Sequence, residues 1–170
     1  MQIAVSIDDL AFVAADAVAR PVNAELRAVT PVIRRLEVAA GDGLLRQLQM
    51  QHPLEVGAAV VTGGGAVKAD FMIHAVVSTE TEAVSRDGVR RATASALQRA
   101  HDFAVEALAI APFGLGAGNL DVEDAARMML TALRLHAERR ARPSEVTIVV
   151  ENEWEADAFR AAISYTERPA

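Results

Sequence analysis

The segment from Ala107 to Glu123 constrains the fold of this chain more than any other. A short apolar run, Ala107 to Ala111, leads through Pro112 into a loop with three alternating glycines, and a helix with an acidic first turn follows. A strand, a glycine loop and a helix in this order present bare backbone N–H groups to an anion. Asp121 is placed to cap the helix, and its carboxylate would compete for the same N–H groups. The segment therefore predicts either an anion-binding loop or an ordinary strand-to-helix turn.

The remaining chain alternates between β-rich and helical segments. Strands are predicted over Gln2–Ser6, Asp16–Ala19, Gly57–Thr62, Asp70–Val77 and Val146–Val150. Helical periodicity covers Asn23–Gln51, Val89–Glu106, Val122–Arg140 and Glu153–Ile163. Apolar strands that alternate with helices indicate a sheet covered on both faces. We predict one α/β domain over residues 1–170, a three-layer α/β/α sandwich with a mixed, mostly parallel sheet.

Local signals place the ends of these elements. Arg20-Pro21 is predicted to end the second strand, and Thr30-Pro31 has the pattern of a helix N-cap followed by proline. Gly41 is predicted to end that helix and Asp87 to cap a later one. The run Gly63–Gly65 precedes no helix, which favours a hairpin-like turn over a phosphate loop.

Composition limits the function. The 170 residues are 52% apolar and 24% charged, with no cysteine and a formal net charge of −6. These values describe a soluble globule without disulfides or thiolate sites, and they argue against a bulk nucleic-acid partner. The beginning of the chain lacks a signal-peptide pattern and no run is long enough to span a bilayer, so we expect a cytoplasmic protein with no membrane partner. We predict no metal site, because His52, His101 and His136 lack acidic partners at metal-ligand spacing.

Several segments, taken in order, resemble the macro domain, a family that binds ADP-ribose. The matching segments cover nearly the whole chain and are Val56–Gly63, Ala69–Val76, Ala109–Pro112 with the glycine loop after it, and Asp121–Ala126. The resemblance implies a macro domain fold and a small-molecule nucleotide, or an ADP-ribosylated protein, as partner, with no cofactor. It leaves the oligomeric state open. Many macro domains hydrolyse ADP-ribosyl linkages or O-acetyl-ADP-ribose, so hydrolysis is the alternative function, and an interaction domain without nucleotide affinity is the third.

The first ligand loop of the family is degenerate here. Macro domains carry an asparagine-alanine-alanine-asparagine motif followed by a glycine run, whereas this chain has Arg20-Pro21-Val22-Asn23 and then Val29–Val32. Without a gap, Asn23 takes the place of the last asparagine and Arg20 replaces the first; if Arg20-Pro21 is a small insertion, Val22-Asn23-Ala24 begins the motif and the second asparagine is absent. One asparagine is missing, and a valine beside a proline does not readily form a cradle of positive-φ N–H groups. We therefore expect ADP-ribose binding with weak or no hydrolysis.

The resemblance implies a set of site residues, and each has a structural alternative. Asp9 is the candidate for the adenine amino group, or it caps a turn with Asp8. Asn23 is the candidate catalytic residue that orders the distal ribose or a water, or it caps the following helix. Arg20 pairs with a phosphate, or it is a solvated surface residue.

Trp154 stacks on the adenine or anchors the last helix. His74 lies within an apolar strand and is predicted to be a hydrogen-bonded core residue rather than a ligand. The second phosphate loop supplies the remaining ligand-binding candidates, which are Phe113, Gly114, Leu115, Gly116, Ala117 and Gly118.

Overall fold

The computed structural model describes residues 1–49, 53–116 and 120–166. Within these ranges the strands are β1 (Gln2–Ile7), β2 (Ala17–Asn23), β3 (Ala59–Gly63), β4 (Phe71–Ser78), β5 (Ala107–Ile110) and β6 (Glu145–Val150). The helices are α1 (Pro31–Ala40), α2 (Asp42–Gln49), α3 (Arg86–Asp102), α4 (Val122–Ala137) and α5 (Glu153–Thr166). None of the described helices is long and apolar enough to cross a membrane.

The strands form one sheet in the order β1-β6-β5-β2-β4-β3. All neighbouring pairs are parallel except β3 and β4, which are antiparallel. Alternate side chains of a strand lie on opposite faces of the sheet and belong to two separate apolar clusters. In β2, Ala17 and Ala19 belong to one cluster and Val18 and Val22 to the other. One cluster includes residues of α3, α4 and α5, and the other residues of α1 and α2. The predicted three-layer sandwich with a mixed, mostly parallel sheet is confirmed.

The second strand is longer than predicted, because Arg20-Pro21 does not end it. β2 continues to Asn23 and pairs with β4 along this whole length, whereas its pairing with β5 stops at Ala19. Pro21 lies two residues after Ala19, so its backbone groups point to the same side of β2. The carbonyl of Ala19 faces β5 and accepts the N–H of Ala111. The N–H that proline lacks would therefore point beyond the end of β5, where no ladder partner is lost.

The helix ends agree with the sequence in part. Thr30 is the N-cap of α1, with Pro31 in the first turn and Gly41 at the end, as predicted. The predicted helix over 23–30 is wrong, because α1 begins only at Pro31. Ser85, not Asp87, caps α3 by accepting the N–H of Gly88 at 3.0 Å. Asp121 precedes α4 as predicted but makes no side-chain capping bond.

Candidate functional site

A cleft of 360 Å³ lies at the carboxyl ends of the parallel strands. Thr30 of the β2–α1 loop (24–30) lines it, as do some of the described residues 111–116 of the β5–α4 loop (111–121), and α5 begins beside it. Its lining residues are Asp8, Leu10, Thr30, Pro31, Val32, Ile33, Arg35, Ala111, Pro112, Leu115, Gly116, Val149, Val150, Glu151 and Glu155. In open α/β sheets ligands bind in such a crevice outside the strand ends, so this cleft is the candidate site.

The end of the cleft beside β1 and β6 is acidic. Asp8 follows β1, Glu151 follows β6, and Glu155 lies in the first turn of α5. Arg35 is the cation among the lining residues, and its Nη2 lies 3.3 Å from Oε1 of Glu151. Both partners of this pair are about half exposed, so the pair contributes little to stability. Three carboxylates against one guanidinium favour a ligand that brings a hydrogen-bond donor to this end and keeps its negative charge away from it.

The β5–α4 loop retains unpaired backbone donors. Among the described residues no partner accepts the N–H groups of Gly114, Leu115 or Gly116. Gly114 and Gly116 adopt φ of 88° and 77°, values that few residues with a Cβ reach. Leu115 and Gly116 line the cleft. Gly114 is buried, Leu115 half-buried and Gly116 exposed, and N–H groups without an internal acceptor are suited to donate hydrogen bonds to the oxygens of an anionic group.

Phe113 does not belong to the binding surface, which corrects its prediction as a ligand residue. Its side chain is fully buried in the core, and its N–H donates to Sδ of Met129 at 3.2 Å. The bulky apolar ring packs in the core cluster that also includes residues of α3, α4 and α5, because burial removes its large apolar surface from water. Ala117 and Gly118, the last two candidates in this loop, lie outside the described residues.

The β2–α1 loop differs from the β5–α4 loop, since its N–H groups from residue 25 to residue 28 are already engaged. Oδ1 of Asn23 accepts the N–H groups of Glu25 and Arg27 at 3.1 and 3.0 Å. The carbonyl of Asn23 accepts the N–H of Leu26 at 2.9 Å. Oε1 of Glu37 accepts the N–H of Ala28 at 2.9 Å. Four consecutive N–H groups, from residue 25 to residue 28, are therefore satisfied within the protein.

Arg20 supports this loop from below and is not a phosphate ligand, which contradicts that prediction. The side chain is fully buried. Its Nη1 donates to Oε1 of Glu37 at 2.5 Å, its Nη2 to the carbonyl of Leu26 at 3.1 Å, and its Nε to Nδ1 of His74 at 2.7 Å. Burial lowers the pKa of Arg20, and the carboxylate of Glu37 opposes that shift. The solvated-surface alternative is wrong as well, because the guanidinium is a buried ion-pair partner.

His74 completes this network, and its prediction as a hydrogen-bonded core residue is confirmed. An arginine Nε can only donate, so Nδ1 of His74 is an acceptor and the ring proton sits on Nε2. Nε2 then donates to Oγ1 of Thr62 at 2.8 Å, and the Thr62 hydroxyl donates to the Gly63 carbonyl at 3.0 Å. Burial, with the nearby charge of Arg20, holds the pKa of His74 well below its usual value. The ring is neutral.

The two loops meet at one end of the cleft. A Cβ built on Gly116 would lie only 2.6 Å from Cγ2 of Thr30, so the threonine methyl is in direct contact with the glycine backbone. The hydroxyl of Thr30 accepts the N–H of Ile33 at 3.3 Å, and its carbonyl accepts the N–H of Arg34 at 3.0 Å. Helix α1 thus holds the methyl in place.

The remaining site candidates lie around the cleft without lining it. Oδ1 of Asp9 accepts the N–H of Ala11 at 2.9 Å, which is the turn-capping geometry, and Asp8 lines the cleft instead. Trp154 is 66% exposed, so the alternative of a half-buried helix anchor is wrong. Asn23 caps the turn after β2 rather than helix α1. The ligand roles of Asp9, Asn23 and Trp154 stay predictions.

Sequence reasoning missed the residues that line the acidic end. Glu151 follows the apolar strand β6 just as Asp8 follows β1, and these strands are parallel neighbours. The rule that functional groups gather at the carboxyl ends of parallel strands could have identified Glu151. Thr30 was identified only as a helix cap. In the described part of the chain no cluster of His, Cys, Asp or Glu could hold a metal ion, and Nε2 of His136 is bonded to the Arg142 carbonyl.

Comparisons with known proteins define the family. The family model for the macro domain matches residues 19–129. The chain is 32% identical over 155 residues to an uncharacterised Mycobacterium tuberculosis protein, covering 91% of this chain but 43% of that protein. It is 33% identical over 138 residues to an uncharacterised Aquifex aeolicus protein, covering 79% and 82%. The chain therefore belongs to the macro domain family, and it spans less than half the length of the mycobacterial relative.

Solved structures show the same fold. The Oceanobacillus iheyensis macrodomain with ADP matches with a TM-score of 0.85 at 17% identity, over 95% of this chain and 90% of that one. The Trypanosoma brucei macrodomain in complex with ADP-ribose matches with a TM-score of 0.86 at 18% identity, over 95% and 69%. At this identity the likeness establishes the fold alone.

Proposed function

We propose that this chain binds ADP-ribose or a related adenine nucleotide in the cleft. The observation that carries the proposal is the β5–α4 loop, where the N–H groups of Gly114, Leu115 and Gly116 have no partner among the described residues. Membership of the macro domain family supports it, as do the similar macrodomains with ADP and with ADP-ribose. The ligand is a free nucleotide or the same group on a modified protein.

We further propose that hydrolysis of ADP-ribosyl linkages is weak or absent. Catalysis of that reaction needs a distal ribose and a water held in place, since positioning supplies much of the rate. Asn23, the candidate for that role, already uses its side-chain oxygen on Glu25 and Arg27. Arg20, which takes the place of the other asparagine when the motif is aligned without a gap, is buried beneath the loop. Neither side chain is placed to hold the distal ribose and the water as the reaction requires.

The experiment combines a binding and a turnover measurement. Calorimetric titration with ADP-ribose should give measurable binding, and release of ADP-ribose from a modified protein should stay near background. Asn23→Ala should leave turnover at background, as should the control Gln98→Ala, which removes an exposed amide from α3. Robust turnover abolished by Asn23→Ala alone would establish the hydrolase instead. Absence of any nucleotide binding would favour a domain used for protein interaction.

A further inference from the structure

A second groove, here called the α3–α4 groove, lies between helices α3 and α4 and has a volume of 460 Å³. On α3 it is lined by Arg90, Ala94 and Gln98, which are spaced four residues apart and therefore share one face of the helix. On the other side it is lined by residues of α4 and of the segment that follows α4. None of its lining residues lines the candidate cleft, so the groove is separate from the proposed nucleotide site.

The charge of the α3–α4 groove is opposite in sign to that of the whole chain. The chain has a formal net charge of −6, yet the ionisable residues that line the groove are Arg90, His136, Arg139 and Arg140, and no described carboxylate lines it. Burial lowers the pKa of His136 from its usual value, so the arginines carry the positive charge. The groove is therefore a basic surface on an acidic protein.

Arg139 and Arg140 differ from the arginines of α3 in having no internal partner. Nη2 of Arg86 lies 2.6 Å from Oδ2 of Asp124, and Nη2 of Arg90 lies 2.6 Å from Oδ1 of Asp87. Arg139 and Arg140 are exposed, and among the described residues neither makes an ion pair or a side-chain hydrogen bond. Both guanidinium groups are thus available to an anion from outside the chain.

The floor of the α3–α4 groove is apolar and narrow in character. It includes Ala94, Ala132 and Leu135, and the side chain of Leu135 is 44% exposed. The two alanines leave room for an apolar side chain to lie between the helices. No Trp, Tyr or Phe lines the groove, so it lacks the stacking surface that single-stranded nucleic acids use, and the net negative charge of the chain disfavours a long polyanion. These features favour a short peptide over a nucleic acid.

We propose that the α3–α4 groove binds an acidic peptide segment of another protein. Its carboxylates pair with Arg139 and Arg140, and an apolar side chain lies over the floor formed by Ala94, Ala132 and Leu135. A guanidinium can donate two parallel hydrogen bonds to one carboxylate, which gives the contact its preference for acidic partners. This partner site is additional to nucleotide binding and does not depend on it, because the two sites share no lining residue.

The experiment measures binding of a short fluorescein-labelled peptide of repeated Glu-Glu-Leu by fluorescence anisotropy. Arg139→Gln combined with Arg140→Gln removes both cations and leaves no buried charge behind. Loss of two exposed ion pairs should weaken peptide binding by about 5-fold. Added salt should weaken binding to the unaltered protein more than binding to this double variant, since exposed pairs are screened. Leu135→Gln should weaken binding by about 3-fold, because it removes part of the apolar floor.

Arg46→Gln combined with Lys68→Gln is the matched control, since it removes two exposed cations outside the groove and changes the net charge equally. It should bind the peptide as the unaltered protein does, and thermal unfolding should show that every variant is folded. A peptide of repeated Gln-Gln-Leu should bind far more weakly.

Absence of binding of the acidic peptide to the unaltered protein would overturn the proposal. An equal loss of affinity in the control variant would also overturn it, because the attraction would then come from net charge alone. Tighter binding of a single-stranded oligonucleotide, lost in the Arg139 and Arg140 double variant, would make nucleic acid the partner instead. Titration of the same samples with ADP-ribose keeps the two proposals apart, since a failure of that nucleotide to bind would count against the proposed function alone.

Discussion

The two loops that flank the cleft occupy equivalent places in the fold but differ in how many of their backbone N–H groups are engaged within the protein. Both follow a parallel strand at its carboxyl end and both lead into a helix. In the β5–α4 loop, Gly114 and Gly116 adopt positive φ, and three successive N–H groups have no partner among the described residues. In the β2–α1 loop, four successive N–H groups are bonded to Asn23 and Glu37.

This difference shows that position in a fold does not by itself create an anion site. The strand end brings the loop to the crevice, but only donors without internal partners are available to a ligand. Asn23 and Glu37 change the state of the β2–α1 loop, because they accept its N–H groups from residue 25 to residue 28, while Arg20 donates to Glu37 and to the Leu26 carbonyl. In the described part of the glycine loop, Gly114, Leu115 and Gly116 have no such support and keep their donors.

The largest effect is expected from removal of the buried cation. Arg20→Met leaves Glu37 and the Leu26 carbonyl without their main partner, and loss of one member of a buried ion pair costs about 3–5 kcal/mol. Denaturant unfolding should show this loss in the free energy of unfolding. Arg160→Met, which breaks a half-exposed pair with Glu153, should cost at most about 1 kcal/mol.

Two further variants decide whether the pair itself is responsible. Arg20→Lys keeps a charge but lacks the planar fork that serves three partners, so it should recover only part of the loss. Combining Arg20→Met with Glu37→Leu should cost less than the sum of the single changes, because no unpaired charge remains. Additive costs, or an Arg20→Met protein as stable as the Arg160→Met control, would show that the β2–α1 loop does not depend on this network.

A smaller, pH-dependent effect is expected from His74 in the same network. The folded protein holds His74 neutral, whereas the unfolded chain binds a proton near pH 6.5. The unfolded state therefore binds more protons as the pH falls, and the free energy of unfolding should decrease below pH 6.5 by up to about 1.4 kcal/mol per pH unit. His74→Asn keeps an acceptor for Arg20 and does not titrate, so its profile should be flatter by this amount. Parallel profiles would place the titration on other groups.

Much of the fold follows from local patterns in the sequence. The apolar run of β6, the Thr30-Pro31 start of α1 and the Gly41 end all lie where the sequence indicates them. These features depend on neighbours along the chain, whose effects on backbone conformation are short-range. β2 was predicted too short because proline lacks a ladder donor and a charged arginine is rarely buried; the end of β5 at this point accommodates Pro21, and His74, Glu37 and the Leu26 carbonyl accommodate Arg20.

The candidate site was less predictable, because its residues act through distant partners. Arg20 and Glu37 are 17 positions apart, and nothing local indicates that α1 folds back over β2 to pair them. The β5–α4 loop was identified from its glycines, whereas Phe113 within it is buried and Glu151, far along the chain, lines the cleft. The order of the strands in the sheet decides which strand ends become neighbours. This order cannot be read from the spacing of residues along the sequence.

The most direct test of the central claim follows the backbone amides of both loops during ligand binding. Amide chemical shifts in an isotope-labelled sample should be recorded during titration with adenosine monophosphate. The signals of Gly114, Leu115 and Gly116 should move strongly, since their N–H groups acquire acceptors, whereas those of Glu25 to Ala28 should stay nearly unchanged. Large shifts at residues 25–28 with little change at residues 114–116 would contradict the account, because the β2–α1 loop would then be the one that binds the nucleotide.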